Sequence, residues 1–388
     1  MREQDIGIIG AGIGGLTAAL ALQRRGHRVR VFEAAPSLGE VGAGITLSPN
    51  AMRILEQLGV RDAIAEVSDA PRRQGVIHFQ TGKLLVDQPR EDTRAKYGAD
   101  YFQLHRADLH RVLSRAVEAH DPSAVQLNAK LTFLEQEDGH VTAIFENGMR
   151  IELDALVAAD GVRSIVRDTF FNPTPPKFTG HIAWRGLVPI ERVDPAIMDP
   201  PSGVYIAPGK MIARYLIRHG KTINYVAFSQ RSGWAEEGWN IHSTIEELLA
   251  EFEGWHDSIR SIMASTPPEL CYKWALYARE PLEAWVKGRV GLLGDAAHAM
   301  LPFMGQGAAS AIEDAIVLAR AFDAASSVEE ALVRYQKARR DRANWVQAES
   351  RANGLRMEGK DTDSYDKSKH KNEEALGLFE YDASTVAV

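Results

Sequence analysis

Gly10-Ala11-Gly12-Ile13-Gly14-Gly15 fits the pattern G-x-G-x-x-G, and Glu33 follows eighteen residues after Gly15. This pairing limits the fold more than any other feature of the chain. Ile6-Gly7-Ile8-Ile9 reads as a short buried strand, residues 16–23 as a helix, and residues 28–32 as a second strand ending at Glu33. In that frame Gly10 permits a tight turn, Gly12 lets the backbone approach a pyrophosphate, and Gly15 lets helix and strand pack closely, with Gly14 in the same turn. The helix N-terminus offers unpaired N–H groups and the positive end of its dipole to phosphates. Glu33 is placed to accept a hydrogen bond from a ribose hydroxyl. The expectation is a dinucleotide-binding unit; the plainer reading is a glycine-rich structural turn.

At 388 residues the chain exceeds one typical core, so two lobes are expected. Residues 6–23 are eighteen uncharged positions in a row, but five glycines within them, and Glu3 and Asp5 ahead, argue against a signal peptide or membrane span. A net charge of −7 argues against a nucleic-acid partner, which requires a basic face. Cys271 is the only cysteine. It excludes a disulfide framework, a thiolate metal cluster and a dithiol pair, and suits a reducing, cytoplasmic setting. No metal is expected, so the chemistry falls to a bound cofactor or to histidines and carboxylates.

Further along, residues 41–59 read as a glycine-rich loop entering a helix near Asn50, 75–88 as a hairpin about Thr81-Gly82, and 153–159 as a strand ending in Asp160-Gly161. Beyond Pro173, Pro175 and Pro176 the texture turns strand-rich. Residues 289–293 form a buried strand stopping at Gly294-Asp295, followed by helices over 308–322 and 328–355 and a polar, aperiodic stretch over 358–371.

Two of these strand ends carry polar motifs. Asp160-Gly161-Val162-Arg163-Ser164-Ile165-Val166-Arg167 combines an acid and glycine for a tight turn with arginines, whose planar donors suit a pyrophosphate. A solvated strand-to-helix turn is the plainer reading. Gly294-Asp295-Ala296-Ala297-His298 runs on to Pro302-Phe303-Met304-Gly305-Gln306-Gly307. Asp295 stands where an open α/β sheet hydrogen-bonds a cofactor's sugar chain. The backbone N–H groups of Gly305 to Gly307, opening a helix, suit a developing negative charge.

Together with Arg106 in His105-Arg106-Ala107-Asp108, these motifs in this order resemble the single-component FAD-dependent aromatic monooxygenases of the p-hydroxybenzoate hydroxylase superfamily. The nearer likeness is to salicylate hydroxylase and to hydroxybenzoate and hydroxynicotinate monooxygenases. It extends through Trp184-Arg185-Gly186-Leu187-Val188-Pro189 to Leu378-Phe379-Glu380-Tyr381-Asp382. The resemblance implies that Gly10, Gly12, Gly14, Gly15 and Glu33 hold the ADP half of FAD. It implies that the Asp160 and Arg163 segment serves both FAD and a passing NADH or NADPH. Asp295 is matched to the ribityl and pyrophosphate region, Arg106 to the flavin side chain, and Pro302, Gly305, Gln306 and Gly307 to the loop facing the isoalloxazine ring. Gly44, in the 42–49 loop, is assigned to the cofactor as well.

The implied fold is α/β: a Rossmann-like FAD-binding lobe (1–74, 98–172 and 280–327), an inserted mixed-sheet substrate lobe (75–97 and 173–279), a C-terminal helix (328–357) and a polar tail (358–388). The implied reaction has NAD(P)H reduce the flavin and O2 add as a C4a-hydroperoxide, whose distal oxygen passes to a small electron-rich aromatic ring. The implied enzyme is a monomer or homodimer.

On the substrate side, Met211 and Tyr215 share one face of a strand because they are four residues apart. The resemblance places a His and a Tyr there; Met211 replaces the His, which weakens assignment to a hydroxybenzoate. Thr46, Arg185 and Phe303 are further substrate candidates, with Arg185 suited to a carboxylate. His298 invites a catalytic-base reading beside a flavin, against the plainer reading that its motif only binds flavin. Competing readings are a flavin epoxidase or hydroxylase for a larger apolar substrate, an NAD-linked dehydrogenase, and a non-catalytic FAD-binding protein. A halogenase is disfavoured, since residues 184–189 lack the second tryptophan of Trp-x-Trp-x-Ile-Pro.

Overall fold

The computed structural model describes residues 2–39, 43–171, 174–231, 241–357 and 372–388. Its first sheet runs in the order Val286–Lys287, Val290–Leu292, Ala155–Ala158, Asp5–Ile9, Arg28–Phe32, Val125–Gln126. All pairings are parallel except that of Val286–Lys287. Ile6, Ile8, Val31, Leu156, Val157 and Leu292 are fully buried, as a parallel sheet covered on both faces requires. The Ile13–Gln23 helix is rich in Ala and Leu and buried almost all round, because the Arg106–His120 and Gly307–Ala324 helices flank it. Full burial of Leu16, Leu20 and Leu22 contributes about 1.5–3 kcal/mol each.

The second sheet has eight strands, in the order Ile241–His242, Tyr272–Ala278, Lys177–Pro189, Thr222–Gln230, Lys210–Ile217, Ser202–Ala207, Arg73–His78, Leu84–Pro89. Its neighbours are antiparallel except Ser202–Ala207 with Arg73–His78. Strand alternation splits its side chains. Ile182, Trp184, Ile212, Tyr225 and Ala227 pack under the Ile245–Glu251 and Asp257–Ala264 helices with Phe252 and Ile259. Ala183, Met211, Phe228, Trp274 and Leu276 form the opposite face, where Leu301 and Phe303 join them.

A small sheet of Gly44–Leu47, Phe102–His105 and Ser68–Asp69 links the two large ones. The Gly44 N–H donates to Asn224 Oδ1 at 2.7 Å, and Gln103 Nε2 donates to Ser202 Oγ at 3.0 Å. The Gly44–Leu47 strand is thereby fixed against the second sheet.

The terminal region departs from the expected polar tail. Residues 358–371 lie outside the described residues, but residues 372–388 are packed. Leu378, Phe379 and Ala383 are fully buried, and Arg53 donates to the carbonyls of Phe379 and Tyr381 at 3.2 and 2.8 Å. The surrounding polarity hides these few apolar anchors from composition.

Candidate active site

Three strand ends and one sheet face enclose a cavity of about 1040 Å3. At one end lie Gly10, Gly12, Gly14 and Glu33. Arg106, Asp160, Arg163 and Asp295 line its flank, followed by Pro302, Gly305 and Gly307. Gly44, Thr46, Arg185, Met211, Tyr215 and Phe303 line the other end. Residues spread over nearly three hundred positions thus share one continuous space. Gly15, Gln306 and His298 do not line it.

The backbone explains the glycines. Gly10 has φ +97, and a Cβ there would stand 2.6 Å from the Ala159 carbonyl oxygen. A Cβ on Gly15 would stand 2.1 Å from the Gly10 carbonyl oxygen, so Gly15 acts in helix–strand contact rather than at the cavity. A Cβ on Gly12 or Gly305 would meet nothing within 4 Å, since both turn toward open space. Glu33 closes the turn: Oε2 accepts the Ala11 N–H and Oε1 the Ala35 N–H, both at 2.8 Å. Each oxygen keeps a lone pair for a ligand hydroxyl.

Asp160 Oδ2 accepts the Ile165 N–H at 2.9 Å, while buried Oδ1 has no hydrogen-bond partner among the described residues. Burial raises its carboxyl, opposed by the Ser164 hydroxyl and backbone N–H groups. Arg167, from the same motif, is turned away and buried. It donates to the carbonyls of Ala296 and Ala297 at 3.2 and 3.0 Å, joining the Asp160 turn to the Asp295 turn. Arg279, which belongs to no sequence motif, lines the cavity and holds Asp168 at 2.6 and 3.0 Å. Asp295 is exposed amid buried neighbours and makes no hydrogen bond among the described residues. These features fit FAD: glycine turns open to the cavity, an orphaned carboxylate oxygen, and an unengaged carboxylate between them.

The other end is a sheet face. Met211, Ala213 and Tyr215 alternate into the cavity, with Val226 and Phe228 from the next strand and Trp274 and Leu276 farther along. Gly44 touches Tyr215 closely: a Cβ there would stand 2.6 and 2.7 Å from its ring and hydroxyl. Burial raises the Tyr215 phenol and pushes that of Tyr101 up to about 12; Thr46 faces both hydroxyls and offsets part of each rise. Tyr101, missed in the sequence, carries no motif; only its place just before the Phe102–His105 strand brings it here. Arg185 is buried, with its guanidinium 5.3 and 5.4 Å from the ring centroids of Tyr272 and Trp274.

His298 corrects an expectation. It is 1% exposed, with Nε2 2.6 Å from Asp314 Oδ2 and its ring 5.1 Å from that of Trp285. The Asp295–His298 turn points it into the core, so it has no path to a substrate proton. Burial pushes the Asp314 carboxyl up, but His298 and Arg339 outweigh it and hold it at about 2. Arg339 bridges Asp314 and Glu313, both at 2.8 Å. Gln306 also looks inward, donating to Ser48 Oγ at 3.2 Å and accepting from Asn50 Nδ2 at 3.2 Å. Together these groups brace the loop of Pro302, Gly305 and Gly307 from behind.

The family model described as FAD binding domain matches residues 3–350. The chain is 36% identical to 6-hydroxynicotinate 3-monooxygenase of Pseudomonas fluorescens over 357 residues, 91% of each chain. It is 36% identical to 3-amino-4-hydroxybenzoate 2-monooxygenase of Streptomyces cremeus, covering 90% of this chain and 86% of that one. Klebsiella pneumoniae HpxO complexed with FAD and uric acid superposes with a TM-score of 0.85 at 28% identity, covering 97% and 95% of the two chains. The chain belongs to the FAD-binding family of flavin-dependent aromatic monooxygenases.

Proposed function

We propose that this enzyme hydroxylates a small aromatic ring carrying a hydroxyl group, with Tyr215 and Thr46 holding that hydroxyl and the apolar sheet face holding the ring. The observation that carries the reading is the junction of two unlike surfaces in one cavity: glycine turns and carboxylates at one end, and Met211, Phe228, Trp274 and Phe303 with buried hydroxyls at the other. The relatives named for hydroxynicotinate and aminohydroxybenzoate support a ring of this size.

Bound FAD would supply the redox chemistry, with NADH or NADPH as reductant and O2 as the source of one oxygen atom for the ring and one for water. Gly12 and Gly14 would present backbone N–H groups to the pyrophosphate, Gly10, whose own N–H is held by the Phe32 carbonyl at 2.8 Å, would supply the turn, and Glu33 would take a ribose hydroxyl. Asp160 and Asp295 accept hydrogen bonds from the sugar chain. Arg106 and Arg163 supply positive charge along it. Pro302, Gly305 and Gly307 face the ring system. Phe228, Trp274 and Phe303 exclude water from the reacting oxygen. Tyr215, with its phenol raised by burial, stays protonated near neutral pH and donates to the substrate oxygen. Arg185, stacked near Tyr272 and Trp274, closes that side of the ring pocket.

Every residue in this account comes from one chain, so a monomer suffices and a homodimer would hold two complete sites. We place the enzyme in the cytoplasm, where lone, buried Cys271 is free of disulfide chemistry. Among the described residues no helix is long and apolar enough to cross a membrane.

The test is NADH and NADPH oxidation by FAD-loaded enzyme across phenolic acids, hydroxypyridine acids and neutral phenols, with peroxide and product quantified. Stimulated oxidation with hydroxylated product and little peroxide is expected from at least one small ring. Peroxide alone across the panel would overturn the small-ring assignment.

A further inference from the structure

The C-terminal segment reaches the cavity. Asn372 and Glu373 line it, although neither belongs to a motif that suggests a site. Their position is set by anchors on either side. Glu374 pairs with Arg90 at 3.2 Å and with Lys96, and it accepts the Tyr97 hydroxyl. The Leu378 N–H donates to the Glu373 carbonyl at 2.9 Å, and Phe379 packs edge-on to Tyr97 at 5.3 Å. Such a backbone presents the Glu373 side chain in one place.

What faces that side chain is informative. Among the described residues no other side chain hydrogen-bonds its carboxylate; the Glu373 backbone N–H is the one donor to it. Arg90 is the cation beside it, but Arg90 already donates to Gln74 at 3.0 and 3.2 Å, to Gln88 at 3.1 Å and to Glu374 at 3.2 Å. Burial raises the Glu373 carboxyl; Arg90 and its own backbone N–H oppose the rise and Glu374 adds to it. Tyr101 lies within electrostatic reach and shares Thr46 with Tyr215. Glu373 therefore belongs to the polar end of the substrate space, away from the glycine turns.

We infer that Glu373 determines which group a substrate ring presents to that end: it accepts a hydrogen bond from a neutral amino, hydroxyl or ring N–H donor and rejects a carboxylate. This rests on the aromatic-substrate reading above and adds the chemistry of the second ring substituent. Two mechanisms act together. A site built to bond an N–H or O–H loses much affinity for an analogue without it, because its polar group is left unpaired. A ligand carboxylate beside Glu373 meets a like charge in a poorly solvated space. Selection thus combines an attractive and a repulsive element at one residue.

The experiment titrates 4-aminophenol and 4-hydroxybenzoate into FAD-loaded wild type, Glu373→Gln and Glu373→Ala, reading the flavin absorbance. Flavin content and melting temperature confirm that each variant is folded. Wild type is expected to prefer 4-aminophenol. Glu373→Ala should weaken 4-aminophenol about tenfold and tighten 4-hydroxybenzoate. Glu373→Gln should also tighten 4-hydroxybenzoate but keep most of the 4-aminophenol affinity, since its amide oxygen still accepts. Equal affinities within twofold in all three proteins, with both rings binding, would overturn the role of Glu373 alone. If NAD(P)H bleaches the flavin but neither ring perturbs it in any protein, the aromatic-substrate reading falls and this inference with it.

Discussion

The two ends of the cavity are built by different means. The glycine end is made of backbone. Gly10 sits at a φ open to few residues, and Gly12 and Gly305 leave room for a ligand. The sheet end is made of alternating side chains, where Met211, Ala213, Val226 and Phe228 are replaceable by others of similar size. Backbone geometry restricts the residue at each position; a sheet face restricts only polarity and volume. One end therefore specifies a cofactor, and the other tunes a choice among rings.

Substitutions should respect that division. The largest effect falls behind the Pro302–Gly307 loop, where Asp314→Asn removes the buried carboxylate that His298, Arg339 and the Gly294 N–H all bond. Breaking such a buried pair costs about 3–5 kcal/mol, read as a drop in melting temperature with loss of flavin. The same network fixes a pH dependence. The folded-state carboxyl of Asp314 is depressed to about 2 from 3.8, so its stabilisation is complete above the ordinary carboxylate range and is lost as pH falls toward 2. Asp314→Asn should flatten that part of an acid-unfolding curve.

Next, Asp295→Ala should weaken FAD about tenfold or more, or about 1.4 kcal/mol, with melting temperature of the apoprotein unchanged. Retention of flavin equal to wild type after gel filtration would remove Asp295 from the cofactor end. Tyr215→Phe should leave flavin content intact and divert turnover from product to peroxide, roughly tenfold in coupling, as loss of one oriented hydrogen bond implies. The smallest effect is expected from Met211→His. It should shift relative KM among ring substrates by about threefold, of the order of a solvent-compensated hydrogen bond, without changing flavin content.

Legibility follows the same division. Residues 6–33 could be read as strand, turn, helix and strand because each glycine answers a backbone need, and the structure gives Asp5–Ile9, Ile13–Gln23 and Arg28–Phe32. The hairpin expected over 75–88 about Thr81-Gly82 appears as the paired strands Arg73–His78 and Leu84–Pro89, because the Thr-Gly turn chemistry is local. His298 was misleading: sequence places it three residues after Asp295 but does not say which way a short helical turn points. Tyr101, Arg279 and Glu373 were out of reach because only tertiary contacts bring them to the cavity. The packed residues 372–388 were obscured by their polarity, although Leu378 and Phe379 are the apolar pair that ties them down.

The most direct measurement is hydroxylated product formed per NAD(P)H consumed, normalised to bound flavin, for wild type, Asp295→Ala and Tyr215→Phe. If cofactor holding and ring selection reside at separate ends, Asp295→Ala will hold less flavin but couple like wild type at each flavin it keeps. Tyr215→Phe, fully loaded, will leak peroxide. Full coupling in Tyr215→Phe, or equal uncoupling per flavin in both variants, would contradict the division on which the account stands.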